Sequence, residues 1–198
     1  FNTDVGNSEF SNTSNIATLS LTTAEDVAAA TLVSLTEATG NIRTNINGTV
    51  NLALSSTTGI TGTYSNLEKV IDSTIITGLS AETLEVTGGG TVSVSEANKL
   101  SGATTGLVTA TLDTGALSTF ATLADAGGQV NNFTITLSGT SADAGDLDTL
   151  RQKSSVNIDI NSLNTLTGSF SELQTFDTNK NNYANNTGIA NVTLASGA

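Results

Sequence analysis

The stretch Leu137–Phe176, LSGTSADAGDLDTLRQKSSVNIDINSLNTLTGSFSELQTF, carries the same short phrase twice. Each copy has an apolar residue, a Ser/Thr-Gly-Ser/Thr step, a brief helical run and then β-type residues. The first opens at Leu137-Ser138-Gly139-Thr140 and the second at Leu166-Thr167-Gly168-Ser169. Between them Val156, Ile158 and Ile160 alternate with Asn157 and Asp159, the period of a half-buried strand. A third copy, Ile60-Thr61-Gly62-Thr63, lies well upstream, and Ile46-Asn47-Gly48-Thr49 echoes its opening.

Working outward, apolar residues recur at i, i+3 and i+6 in short runs, one face of a two-turn helix. The runs are Ala24/Val27/Ala30, Tyr64/Leu67/Val70, Val94/Ala97/Leu100, Leu117/Phe120/Leu123, Ala144/Leu147/Leu150 and Phe170/Leu173/Phe176. Capping boxes are expected at Thr22 with Glu25, Ser65 with Glu68, Ser93 with Glu96 and Ser169 with Glu172, and Thr140 with Asp143 is a variant. In each, a hydroxyl and an acid three residues later satisfy amides that the helix start leaves unpaired. Two turns do not stand alone in water, so each run must pack on something.

The partners are alternating apolar/polar strands: Val50/Leu52/Leu54, Leu84/Val86, Val92/Val94, Val108/Ala110/Leu112, Phe133/Ile135/Leu137, Val156/Ile158/Ile160 and Val192/Leu194. Glycines punctuate the corners, with runs at Gly88–Gly90 and Gly127–Gly128. Helical runs recur mostly every 23 to 30 residues, the interval of a stacked repeat. The spacing therefore predicts a right-handed β-solenoid of parallel strands with short two-turn helices on one side. The rival folds are a doubly wound, layered α/β sheet and a β-sandwich. Residues 1–16 read as a polar N-terminal arm, 17–176 as the repeat region, and 177–198 as an Asn-rich turn with a final strand.

Composition removes several chemistries at once. The 198 residues include no His, Cys, Pro, Met or Trp, and Thr, Ser and Asn together make about 40%. Without His there is no imidazole base, no Ser-His-Asp triad and no histidine ligand for a transition metal. Without Cys there is no thiolate nucleophile and no disulfide. No Gly-Lys-Ser/Thr phosphate loop occurs. A net charge of −12, spread along the chain, opposes nucleic-acid phosphates and anionic membrane surfaces. No apolar run reaches the roughly 18 residues of a bilayer span. The lack of an initiator Met and of a signal peptide reads as a processed product or a fragment. Few tryptic sites and no easily oxidised sulfur suit an extracellular or virion surface.

The units LSGTSADAGDLDTL, VSVSEANKLSGATTGLVTATL and LTGSFSELQTF resemble the Thr/Ala-rich repeats of very large bacterial surface proteins, including cyanobacterial ones, and of phage appendages. The resemblance spans roughly residues 17–176 and implies a structural or adhesive role outside the cell. The leucine-rich repeat has a similar length, but its L-x-x-L-x-L-x-x-N signature is met in no unit.

Four candidate sites follow from residue type and spacing. Asp177, Asn179, Asn181 and Tyr183 offer oxygen donors at alternate positions, the spacing of a loop that wraps Ca²⁺, although Asn182 and Gly188 stand where an EF-hand needs Gly and Glu. Ca²⁺ is the one cofactor the sequence suggests. Asp143, Asp146 and Asp148 surround a helix start and read as capping acids. Glu82/Glu85 and Asp113/Asp125 are the carboxylate pairs available for glycoside hydrolysis, with no Trp beside them for sugar stacking. Ranks of Thr109/Thr111, Thr134/Thr136 and Asn157/Asp159 could present hydroxyls and amides to surface glycans.

The expected function is non-enzymatic: a repeat segment of an extracellular filament, surface layer or phage appendage that self-associates with identical subunits. An adhesin or receptor-binding module for surface glycans is the alternative, and a carboxylate-only polysaccharide-degrading enzyme is the third. Neither nucleic acid nor membrane insertion is expected.

Overall fold

Strands of two to four residues alternate with capped helices of eight to ten in the computed structural model, which describes residues 18–21, 26–36, 51–54, 59–124 and 130–195. The chain divides into two units, residues 1–90 and 91–198. The arm at 1–16, the Thr22/Glu25 box, the Ile46–Thr49 echo, Asp125 and Gly127–Gly128 lie outside the described residues.

The first unit holds β1 (Thr18–Leu21), β2 (Val27–Ala28), α1 (Ala29–Thr36), β3 (Asn51–Leu54), β4 (Gly59–Gly62), α2 (Tyr64–Ile71), β5 (Ile76–Thr77) and β6 (Thr83–Val86). β1, β3 and β5 adjoin in that order, and so do β2, β4 and β6. All these pairings are parallel: Thr18 faces Asn51, Val27 faces Ile60, and Ile60 faces Leu84. Parallel neighbours require crossover connections, which α1 and α2 help to supply. The two helices pack on each other, and Leu32, Ile60, Leu67, Val70 and Leu84 close the core between helix and strand. Each such side chain contributes about 1.5–3 kcal/mol on leaving water. Gly78 turns the chain after β5 at φ +90°, and a Cβ there would stand 2.5 Å from the Leu54 carbonyl oxygen, so only glycine fits.

The second unit holds α3 (Val94–Ala103), β7 (Val108–Thr111), a 3-10 turn at Leu117–Phe120, β8 (Asn132–Thr134), β9 (Ser141–Asp143), α4 (Ala144–Arg151), β10 (Ile158–Asp159), β11 (Thr165–Gly168), α5 (Phe170–Asn179), β12 (Tyr183–Ala184) and β13 (Asn191–Leu194). β7 pairs with β8, β10 with β12, and β11 lies between β9 and β13, again all parallel. Partners stand 23 to 26 residues apart, as Thr109 with Asn132 and Thr165 with Asn191 show. Leu100, Val108, Phe133, Ile135, Leu147, Ile158, Ile160 and Leu166 form the core.

Asn131 and Ser154, buried polar residues of this core, are paired. The Asn131 Oδ1 accepts the Val108 amide at 2.9 Å, and its Nδ2 donates to the Ser101 hydroxyl at 2.9 Å. The Ser154 hydroxyl donates to the Phe133 carbonyl at 2.7 Å and accepts the Phe133 amide at 3.0 Å. These bonds tie Asn131 to β7 and α3 and Ser154 to β8, where an unpaired group would cost about 1–3 kcal/mol.

The expected right-handed β-solenoid is corrected by this architecture. The content is mixed α/β, with very short strands gathered into small parallel sheets and five α-helices among the described residues. No closed solenoid forms there. The physical reason is length: helices of eight to ten residues take up the connections that a closed coil would give to strands. The β-sandwich also fails, because every strand pairing described here is parallel and a sandwich is built from antiparallel sheets.

Local expectations are corrected too. Val27 lies in β2, and the helix of the first run begins at Ala29. Thr63, not Ser65, caps α2 and accepts the Asn66 amide, while Asp143 itself, rather than Thr140, caps α4. Val94 opens a helix, leaving Val92 as a single bridge to Leu112. The boxes at Ser93/Glu96 and Ser169/Glu172 form with both bonds.

Candidate functional site

The row of strands β9, β11 and β13 repeats one device at its entrance. The Thr140 carbonyl accepts the amides of Asn164 and Thr165, at 2.9 and 3.0 Å. One row further, the Asn164 carbonyl accepts those of Ala190 and Asn191 at the same two distances. The Asn191 Nδ2 also donates to the Asn164 Oδ1 at 2.8 Å. Where the helices start, the Asp143 carboxylate accepts the Gly145 amide at 2.9 Å, and the Glu172 carboxylate accepts the Ser169 amide at 2.7 Å.

The row ends in an uncovered edge. β13 pairs with β11 alone among the described residues. All four of its side chains are exposed, with Val192 at 63% and Leu194 at 61%. The sequence reading gave this strand one dry face, and the structure corrects that. The neighbouring α5 has the stripe Phe170/Leu173/Phe176 yet buries none of it fully, and Phe170 is 71% exposed. The equivalent stripe of α4, Ala144/Leu147/Leu150, is buried throughout. Edge strands are commonly guarded by charge or proline; Asn-Val-Thr-Leu has neither.

The four residues of the expected Ca²⁺ loop fall on three elements. Asp177 and Asn179 lie on α5, Asn181 in the 3-10 turn Lys180–Asn182, and Tyr183 on β12. Polar atoms of the first three have separate partners. The Asp177 carboxylate pairs with Lys180 Nζ at 3.0 Å, the Asn179 Nδ2 donates to Asp148 at 3.1 Å, and the Asn181 carbonyl accepts from Asn157 at 3.1 Å. Tyr183 stacks on Phe176 with ring centroids 5.0 Å apart. Among the described residues no three acids are grouped to hold a metal ion.

Asp148 is the hub that spacing did not reveal. Its carboxylate accepts from Arg151 Nε at 2.9 Å, Gln152 Nε2 at 2.9 Å and Asn179 Nδ2 at 3.1 Å, and so fastens α4 to α5. The Tyr183 hydroxyl is buried close by without a hydrogen-bond partner of good geometry. Burial, and secondarily the Asp148 charge, push its pKa up to about 12, with Arg151 opposing.

The described members of the two carboxylate pairs stand in different settings. Glu82 is buried and accepts the backbone amides of Ser80 and Ala81, at 2.7 and 3.1 Å, while Glu85 stands exposed on β6. Asp113 accepts the Thr91 hydroxyl. The Thr ranks do come together: Thr111 is in register with Thr134, and Thr136 with Asp159, around buried Ala110, Phe133 and Ile158.

No family model matches the chain, and neither a curated protein nor a solved structure does.

Proposed function

We propose that this chain is a non-enzymatic structural segment that works by self-association in an extracellular assembly such as a filament, a surface layer or a phage appendage. The observation that carries this reading is the uncovered edge at β13, where Val192 and Leu194 stand exposed on a strand with no charge or proline. Leaving two large apolar side chains and a strand edge in water is unfavourable, and covering them is the gain that association offers. Composition agrees, since a chain with no His or Cys is poorly equipped for catalysis and well suited to exposure outside a cell. Sedimentation velocity over a hundredfold range of concentration tests the reading. Species larger than a monomer are expected to grow with concentration, and a monomer throughout would overturn it.

A second reading, a module for surface glycans, draws on the Thr111/Thr134 and Thr136/Asp159 registers. An array of surface glycans probed with the isolated chain tests it, with saturable signal expected and a blank array ending the idea.

A further inference from the structure

We infer that the edge formed by β12 and β13 receives the β1–β2 edge of a second copy of this chain, head to tail and with strands parallel. The inference rests on the self-association reading above and names the two surfaces that would carry it.

Spacing along the chain is the first argument. Among the described residues ten of the thirteen strands come in five consecutive pairs, and the interval within each pair is seven to nine residues. From start to start it is nine residues for β1 and β2 (Thr18 to Val27) and eight for β3 and β4 (Asn51 to Gly59). It is seven for β5 and β6 (Ile76 to Thr83), seven for β10 and β11 (Ile158 to Thr165) and eight for β12 and β13 (Tyr183 to Asn191). Within the first unit the pair β3–β4 lies along β1–β2, and β5–β6 along β3–β4. Within the second, β12–β13 lies along β10–β11. A pair with this interval is therefore what the chain itself lays against another such pair. Among the described residues β1 and β2 are each outermost in their strand order, as β12 and β13 are in theirs. The two edges thus present matching two-strand profiles.

Direction and chemistry agree. Every pairing named above is parallel, so a second copy's β1–β2 continues the pattern on β12–β13 without reversing a strand. Ala190 occupies the corner that Thr140 and Asn164 occupy in the two preceding rows, and its carbonyl stands where those carbonyls accept paired amides. The four strands that meet carry no charged residue, and Ala28 is exposed on β2, with Val192 and Leu194 exposed on β13. Two different patches meeting in this way make a heterologous contact, which propagates unless the rotation closes a ring.

Two edge-blocked variants test the inference. One carries Val192→Lys with Leu194→Lys, and the other Ala28→Lys; both change exposed side chains, and unfolding midpoints confirm that each variant folds. Each alone is expected to sediment as a monomer, while an equimolar mixture gives a one-to-one dimer through the intact edge of each partner. If the wild-type chain associates but either variant alone still does so to the same extent, or the mixture stays monomeric, the head-to-tail contact is overturned while self-association stands. If the wild-type chain is monomeric, both readings fall together. Because the chain has no Cys, Thr193→Cys and Ala28→Cys in separate copies supply a second measurement. Mild oxidation is expected to join unlike copies in preference to like ones, and equal yields of like and unlike pairs would overturn the inference even if a lysine variant failed to fold.

Discussion

β9 with α4 and β11 with α5 are built from nearly the same sentence of sequence and end in opposite situations. Both helices have an apolar stripe at i, i+3 and i+6, both begin at a side-chain cap, and both follow a short parallel strand. In α4 the stripe of Ala144, Leu147 and Leu150 is buried, because further elements lie on it. In α5 the stripe of Phe170, Leu173 and Phe176 stays at least partly in water, as do Val192 and Leu194 on β13. Local sequence specifies an element and the face it would bury. Whether that face is buried depends on the next row, which no window of eight residues contains.

The sharpest way to break this contrast is to truncate one residue on each side of it. Leu147→Ala opens a cavity under α4 and is expected to cost about 2–5 kcal/mol. Leu194→Ala in dilute solution is expected to stay within about 0.5 kcal/mol of wild type. Urea unfolding of both variants checks the pair; equal losses would mean that β13 is covered even in the monomer. Next in size, Asn131→Ala strands the Val108 amide and the Ser101 hydroxyl in the core, with an expected loss of about 1–3 kcal/mol.

Ser169→Ala removes the cap of the exposed helix and Ser93→Ala that of a helix with buried residues. Each is expected to cost about 1 kcal/mol. Fraying of α5 should show in its own amide exchange, whereas packing of Ala97 and Leu100 spreads the effect of the other cap across its neighbours. The Ser169 amide, helped by the Ser169 hydroxyl, holds the Glu172 carboxyl below its ordinary 4.5. Its stabilisation is therefore present above about 4.5 and lost as pH falls through the lowered value. Amide exchange in α5 is expected to quicken in acid over that window, and Glu172→Gln to remove the dependence; an unchanged acid response in Glu172→Gln would show that another group sets it.

The smallest expected effect is at Tyr183. Its folded pKa of about 12 lies above the ordinary 10, so its contribution is intact below about pH 10 and disappears as pH rises through 12. Ultraviolet titration is expected to resolve one tyrosine ionising near 12. Tyr183→Phe, which removes a buried hydroxyl without a good partner, is expected to be neutral or stabilising by up to about 1 kcal/mol. A clear loss would reveal a bond from Arg151 that matters.

Much of the local structure was legible in advance. The boxes at Ser93/Glu96 and Ser169/Glu172 formed because cap chemistry is confined to four residues. The alternation at Val108/Ala110/Leu112 and Phe133/Ile135/Leu137 placed six side chains inside, since a pleated strand sends every second residue to one face. What failed was longer in range. Interval and alternation suggested a right-handed β-solenoid with two-turn helices on one side, but the same interval also fits very short strands in small parallel sheets joined by helices of eight to ten residues. The oxygen donors of Asp177, Asn179, Asn181 and Tyr183 alternate in sequence, yet a helix, a 3-10 turn and a strand carry them to different partners. Asp148 drew notice as a capping acid, and its role as a clasp rests on Asn179, thirty-one residues away.

By itself, then, the sequence determined which residues start helices, which alternate into strands, and which chemistries a chain without His or Cys must do without. Those properties reside in neighbouring residues and in composition. Only the tertiary structure decided how the strands group into small parallel sheets, which apolar stripes are covered and which strands are outermost among the described residues. Those outcomes depend on pairs of segments more than twenty residues apart, and burial is a property of the pair.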